Sequence, residues 1–212
     1  MPHPWEEVDL FAYEGHMSLA GIEQLQTLNT LMKQRLERYQ PRSVMIWGVA
    51  GGNGLEHIDP QTTDRVVGVD VNQDYLDACK QRHAHLGEQF TAVRADLTKP
   101  CPELGTAELL IADLFIEYIG IVAFVARVKE CAPKTLCCVI QKNVSAAFVS
   151  TSPYMQALSG IGALHRDIEE AELVAALADI GYQVVRREEV PLKNGKLFVA
   201  VECGRATMIV PE

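Results

Sequence analysis

The run Val44-Met45-Ile46-Trp47-Gly48-Val49-Ala50-Gly51-Gly52-Asn53-Gly54-Leu55-Glu56-His57-Ile58 constrains this chain more than any other. Apolar residues lead in, a glycine cluster turns, and an amphipathic segment leads out. The pattern predicts a strand, a tight loop and a helix. Glycine serves where backbone turns with positive φ or where a ligand must approach it closely. A helix starting there would offer unpaired N–H groups and the positive end of its dipole. Asn53 and Glu56 have capping-box spacing, with Asn in the Ser/Thr place, which sets the expected helix start at Asn53. In an open α/β sheet, a loop at the carboxyl end of the first strand is where nucleotides bind.

The loop also limits which nucleotide. The dinucleotide fingerprint G-x-G-x-x-G fails in each register: from Gly48 it meets Ala50 and Asn53, and from Gly52 it ends on His57. The sequence contains no G-x-x-x-x-G-K-[ST], so a P-loop is excluded on motif. A nucleoside ligand without a pyrophosphate remains.

Downstream, apolar runs end in acids. Arg65–Asp70 is nearly all apolar before Asp70, as in a parallel strand covered on both faces. Phe90–Leu97 carries Asp96, and Ala107–Asp113 ends on Asp113. Thr135–Gln141 is a fifth strand. An ionised carboxylate at the end of the second strand has two acceptor oxygens, suited to a pair of ribose hydroxyls. As an alternative, Asp70 caps the helix near Gln73, a job Asn72 also fits. Asp96 likewise fits a turn ahead of Thr98-Lys99-Pro100. Helical patterns are read at Ile22–Tyr39 (stopped by Pro41), Gln73–His85, Leu114–Lys129 and Ile168–Ile180, the last closed by Gly181. Residues 1–20 read as irregular. Leu114–Lys129 is apolar on more than one face, which fits a deeply packed helix or a homodimer seam. The strand-like runs Tyr182–Arg187 and Lys196–Cys203 flank Asn194-Gly195, a hairpin signal.

Gly48-Val49-Ala50-Gly51-Gly52 after a strand, followed by Asp70, Asp96 and Asp113 in order, resembles the class I S-adenosylmethionine-dependent methyltransferases. The resemblance runs from about Val44 to Gly204. It implies a Rossmann-like, doubly wound, seven-stranded and mostly parallel sheet, closed by an antiparallel C-terminal hairpin strand. The whole chain would form one such domain, with residues 1–40 as a helical lid and 43–204 as the core. It implies S-adenosyl-L-methionine as cofactor, held by Gly48, Val49, Ala50, Gly52 and Asn53 of the loop. Asp70, with Val71 beside it, would take the ribose. Asp96 and Leu97 would take the adenine, and Asp113 with Leu114 would lie near the methyl sulfonium. The family has an acid where this chain has Ile46, and glycine where it has Ala50. Lid residues Tyr13 and His16, together with Tyr118, are candidate substrate contacts. Alternatively, Tyr13 packs and His16 is solvated, and Glu117 and Tyr118 are a helix-start acid and a packed aromatic. In the long segment from Lys142 to Asp167, Lys142, Asn143, Tyr154 and His165 are candidates without assigned roles.

Composition narrows the partners. The chain has 212 residues and a net charge of −9, which opposes tight binding to bulk nucleic acid. The D-P-P-Y signature of amine methyltransferases acting on nucleic acid is absent, the chain having Asp113-Leu114-Phe115-Ile116. The expected acceptor is therefore a small molecule. The six cysteines form no C-x-x-C pair, so reduced buried thiols in a cytoplasmic protein are expected, with no metal site. Met1–Glu7 is acidic and proline-broken, unlike a signal peptide. Tyr118–Ala126 falls short of the roughly 20 apolar residues that span a bilayer.

The resemblance implies methyl transfer. A sulfonium already activates its methyl group, so the protein mainly aligns the nucleophile and excludes water. A base is needed only where the acceptor carries a proton, and no catalytic residue stands out. Two other functions fit the sequence less well. A non-catalytic S-adenosylmethionine-binding protein is left open by Ile46 and Ala50. A nicotinamide-dependent oxidoreductase is opposed by the failed fingerprint and the terminal hairpin.

Overall fold

The computed structural model describes residues 3–100, 102–143 and 150–205. Cys101 and residues 144–149 of the long segment lie outside them. Seven strands form one sheet: β1 Ser43–Trp47, β2 Arg65–Asp70, β3 Phe90–Arg94, β4 Leu109–Asp113, β5 Thr135–Lys142, β6 Tyr182–Pro191 and β7 Leu197–Arg205. Their order is β3-β2-β1-β4-β5-β7-β6. The first five pair in parallel, and β7 runs antiparallel between β5 and β6. The chain order reverses between β1 and β4, the switch point where such sheets open a crevice.

Alternation along the strands builds two cores. Met45 and Trp47 of β1 point to one face, with Phe124 and Val128 of α4 (Ile116–Cys131) and Leu173 and Leu177 of α5 (Glu170–Ala178). Val44 and Ile46 point to the other face, with Met32 and Leu36 of α2 (Gln24–Tyr39) and Leu76 and Cys79 of α3 (Gln73–Arg82). Adjacent Cys138 and Cys137 of β5 divide between these two cores, as residues one apart on a strand must. The five described cysteines are buried and form no disulfide. Edge strand β6 is exposed along most of its length and carries Arg186, Arg187, Glu188 and Glu189, charges that discourage pairing with another chain. No helix among the described residues is long and apolar enough to cross a membrane.

Two sequence expectations fail at the N-terminal half. The glycine loop does not lead into an α-helix: only a 3-10 turn, Leu55–His57, follows. Gly52 and Gly54 take φ of +86° and +93°, which breaks a right-handed helix before it starts. A Cβ on Gly54 would sit 2.5 Å from Met32 Cγ, so α2 packs directly on this turn. Glu56 does not close a capping box on Asn53; its Oε2 accepts from Gly54 N at 2.9 Å. Residues 1–20 are not irregular either. A 3-10 turn covers Pro4–Glu7 and α1 covers Leu10–Ser18, capped by Asp9 Oδ1 accepting from Ala12 N at 3.0 Å. Helix α1 packs against α2 and, through Met17, against Val139 of β5 and Phe198 and Ala200 of β7.

Candidate active site

The carboxyl ends of β1 to β5 open into a cleft of about 1090 Å³, part of it open to solvent. One wall is delivered by successive strand ends. Gly48 and Ala50 follow β1, Asp70 and Val71 close β2, Asp96 and Leu97 follow β3, and Asp113 and Leu114 close β4. Tyr13, His16 and Tyr118 also line the cleft. The other loop residues do not. Val49 and Asn53 face a smaller pocket behind the loop, and Gly52 packs under Cys79 and the His83 ring. Asn53 is occupied structurally: its Nδ2 donates to Leu25 O at 2.9 Å and its Oδ1 accepts from Asn29 Nδ2 at 3.0 Å.

The loop geometry explains its residue types. Gly48 has φ of +72°, and a Cβ there would meet the Phe115 ring at 2.8 Å. Ala50 adopts φ of +46° and Leu114, at the end of β4, +51°. Left-handed backbone is strained for residues with a Cβ, and such strain tends to gather at sites. Ala50 is held there by its N–H, which donates to Asp70 Oδ2 at 2.9 Å; Asp70 Oδ1 accepts from Asn72 N at 3.0 Å. Burial pushes the Asp70 carboxyl up, against the pull of these backbone donors. Asp70 does not cap α3. Asn72 does, its Oδ1 accepting from Tyr75 N at 3.2 Å. The strand β3 ends at Arg94, short of Leu97, because Asp96 turns the chain: its Oδ1 accepts from Thr98 N at 3.0 Å and its Oδ2 pairs with Lys99 at 2.7 Å. Asp96 therefore lines the cleft and makes the turn at once.

Beneath the cleft lies a buried charge network that the sequence reading missed. Arg35 of α2 is fully buried. Its Nη1 donates to Asp113 Oδ1 at 2.8 Å and Oδ2 at 2.7 Å, and its Nε lies 3.9 Å from Glu202 Oε1. Glu202 in turn accepts from Arg38 at 2.7 Å and from the Tyr39 hydroxyl at 2.6 Å. Burial works against charge on both Arg35 and Asp113, and their attraction counters it, keeping the guanidinium protonated. A signal existed: Arg35 follows Met32 by three and precedes Leu36 on the apolar face of its helix.

The roof comes from the N-terminal segment and from residues 158–161. Trp5 packs edge-on against Tyr13 (5.6 Å between ring centres) and Tyr118 (4.9 Å). Three ties hold this segment to the β2–β3 side: Asn72 Nδ2 donates to Trp5 O at 2.9 Å, Glu6 pairs with Arg94, and Glu14 pairs with Arg82. His16 is buried, not solvated, and its Nδ1 lies 2.8 Å from Ser152 Oγ. Burial lowers its basicity. Gln24 Nε2 donates to Gln141 Oε1 across the cleft floor. Trp5, Gln24 and Gln141 carried no signal in sequence. Of the candidates from Lys142 to Asp167, Lys142 at the end of β5 pairs with Glu170, Asn143 bonds Gln141, and Tyr154 packs against Gly15. His165 stacks edge-on with Tyr118. None of these four lines the cleft.

Glu117 stands apart. It lines the cleft from the first turn of α4 and is 1% exposed. Its Oε1 accepts from Gln141 N at 2.9 Å, and its Oε2 has no partner among the described residues. Burial pushes its carboxyl up to about 7. No group of three or more metal-ligating side chains occurs among the described residues.

No protein-family model matches the chain, and no curated protein matches it in sequence. Solved structures match its fold. Magnesium protoporphyrin IX methyltransferase from Synechocystis PCC 6803, with bound SAH, superposes with a TM-score of 0.61 at 17% identity, over 86% of this chain and 83% of that one. Geranyl diphosphate C-methyltransferase from Streptomyces coelicolor A3(2), in complex with Mg2+, geranyl diphosphate and S-adenosyl-L-homocysteine, gives 0.66 at 10% identity, over 88% and 84%. The [4+2]-cyclase SpnF gives 0.62 at 10% identity, over 85% and 81%. With its sheet order, its antiparallel β7 and these neighbours, the chain has the fold of the class I S-adenosylmethionine-dependent methyltransferases.

Proposed function

We propose that the cleft binds S-adenosylmethionine and that the protein transfers its methyl group to a small-molecule acceptor. The observation that carries this reading is the convergence of Ala50, Asp70, Asp96 and Asp113 on one wall, each at the end of a different parallel strand. When bound, the cofactor supplies an electrophilic methyl group on a cationic sulfur. The wall suits such a ligand: its acids outnumber its cations, and Arg35 already offsets Asp113. Each Asp70 oxygen accepts one backbone N–H and keeps lone-pair capacity for ribose hydroxyls. Asp96 and Leu97 would hold the adenine. Trp5, Tyr13 and Tyr118 would exclude water and orient the acceptor, and His16 would contact it.

A second reading keeps the cofactor but not the transfer. It is favoured by aliphatic Ile46 at the place of the family's acid, and by SpnF, a cyclase on this fold. A nicotinamide cofactor is disfavoured by β7, which runs antiparallel where a dinucleotide sheet would continue in parallel. Thermal unfolding tests the proposal. Ligand at 100 times its Kd stabilises by about 2.7 kcal/mol. S-adenosylhomocysteine should therefore raise the melting temperature and NAD should not. Time-dependent formation of S-adenosylhomocysteine from S-adenosylmethionine with an acceptor panel then separates transfer from mere binding.

A further inference from the structure

We propose that Glu117 is the group that receives the acceptor's proton, and that the acceptor is an organic amine carrying an apolar or aromatic body. The inference rests on the methyl-transfer reading. Three observations support it. First, one Glu117 oxygen is fixed by the Gln141 N–H at 2.9 Å while the other, buried at the cleft wall, has no partner among the described residues. A buried carboxyl oxygen without a hydrogen bond is destabilising unless a ligand completes it. Second, the charged groups lining the cleft are Asp70, Asp96, Asp113 and Glu117; no Lys or Arg lines it among the described residues. Asp113 is offset by Arg35 and Asp96 by Lys99, which leaves Asp70 and Glu117 without an ion-pair partner among the described residues; both Asp70 oxygens already accept backbone N–H groups, so Glu117 is the carboxyl with an oxygen still open to a cation. An anionic acceptor would meet repulsion here, and an ammonium would not. Third, Trp5, Tyr13 and Tyr118 form a T-stacked aromatic cluster in the same wall. Aromatic faces and a carboxylate together recognise organic cations.

The groups around Glu117 agree with a proton-exchanging role. Burial raises its pKa to about 7, and Asp113 from β4 and Asp167 from the segment after β5 add to that rise, against the Gln141 N–H. Tyr118, next to it on α4, has its own ionisation pushed well up by burial. The backbone oxygen of Glu117 accepts from Arg166 N at 2.9 Å, fixing the turn. The step balances simply. An ammonium R–NH3+ gives one proton to the Glu117 carboxylate, leaving R–NH2 with a free lone pair and Glu117 as the neutral acid. That lone pair is what a methyl electrophile requires, and the proton leaves to solvent when the product departs.

The test uses benzylamine as probe and benzoate as its anionic counterpart, titrated by calorimetry into the full chain with and without saturating S-adenosylhomocysteine. Benzylamine should bind and benzoate should bind at least ten-fold more weakly. In Glu117→Gln, whose amide oxygen can still accept from Gln141 N–H, benzylamine affinity should fall at least ten-fold, with S-adenosylhomocysteine affinity within two-fold of the unaltered protein. Should that variant fail to fold, the unaltered protein decides: Glu117 is partly protonated at pH 7 and the bound amine–carboxyl pair holds a single proton between its members, so the heat of benzylamine binding in phosphate against Tris at pH 7 should report release of a fraction of a proton. No benzylamine binding, equal binding of benzoate, unchanged affinity in Glu117→Gln, or no proton release would each overturn the assignment. Failure of S-adenosylhomocysteine to bind at all would count against the cofactor instead, and the titrations without it still decide Glu117.

Discussion

Arg35 Nη1 donates to both carboxylate oxygens of Asp113, at 2.8 and 2.7 Å, from a side chain that α2 drives completely beneath the cleft. This pair links α2 to the carboxyl end of β4 at the cleft wall. Removing one partner of a buried ion pair strands the other charge, typically for about 3–5 kcal/mol. Arg35→Leu should therefore lower the free energy of unfolding in urea by about that much. A loss below about 1 kcal/mol would mean that Asp113 and Glu202 are solvated or protonated without Arg35.

Ala50 sits at φ of +46° with its N–H tied to Asp70. Left-handed backbone costs a residue with a Cβ roughly 1–2 kcal/mol, offset in glycine's case by its larger unfolded-state entropy. Ala50→Gly should leave stability unchanged or raise it by up to about 1 kcal/mol, whereas Ala50→Val should lower it by about 1–2 kcal/mol. Thermal melts of the two variants check this. Equal melting temperatures would contradict a left-handed Ala50.

Glu117 gives the protein a pH signature. An ordinary Glu ionises near 4.5, and in the folded chain burial pushes Glu117 to about 7. The folded state thus holds this proton more tightly than the unfolded state. Its contribution to stability is full below pH 4.5 and is lost as pH rises towards and past 7. Glu117→Gln lacks the group. Relative to the unaltered protein, it should gain roughly 2–3 kcal/mol in urea unfolding on going from pH 4.5 to pH 8. A stability difference that does not change with pH would contradict the raised value.

Residues 3–18 roof the cleft but contribute little to the two sheet cores. Deleting residues 1–20 should keep a cooperative unfolding transition, carried by α2 and the sheet. It should weaken S-adenosylhomocysteine binding at least ten-fold, since Trp5, Tyr13, His16 and Met17 leave the cleft. Unaltered affinity would show that the segment covers the site without contributing to it.

What the sequence made legible was whatever one element encodes locally. Arg65–Asp70 emerges with its predicted bounds because a nearly unbroken apolar run and a terminal acid mark it. The Asn194-Gly195 turn and the start of α3 at Gln73 follow for similar reasons. The ends of β2 and β4 were locatable, and so were Asp70 and Asp113, whereas β3 stops two residues before Asp96. Features set by packing between distant segments were not. Met32 of α2 packs on Gly54, and Asn53 is taken by Leu25 and Asn29 of the same helix. Trp5 reaches the cleft because Asn72, Arg94 and Arg82 tie its segment down. The unpartnered oxygen of Glu117 depends on Gln141 claiming the other.

The central claim is that this cleft holds S-adenosylmethionine through the acid at the end of β2. Calorimetric titration of S-adenosylmethionine, S-adenosylhomocysteine and NAD into the protein and into Asp70→Ala tests it most directly, with the ligand-free melting temperature as a check on the Ala50 loop. The account predicts binding of the two adenosyl-sulfur ligands and not NAD, and a weakening in Asp70→Ala of roughly 10- to 100-fold, the equivalent of a charge-assisted hydrogen bond. Binding of NAD with neither of the others, or full affinity in Asp70→Ala, would contradict it.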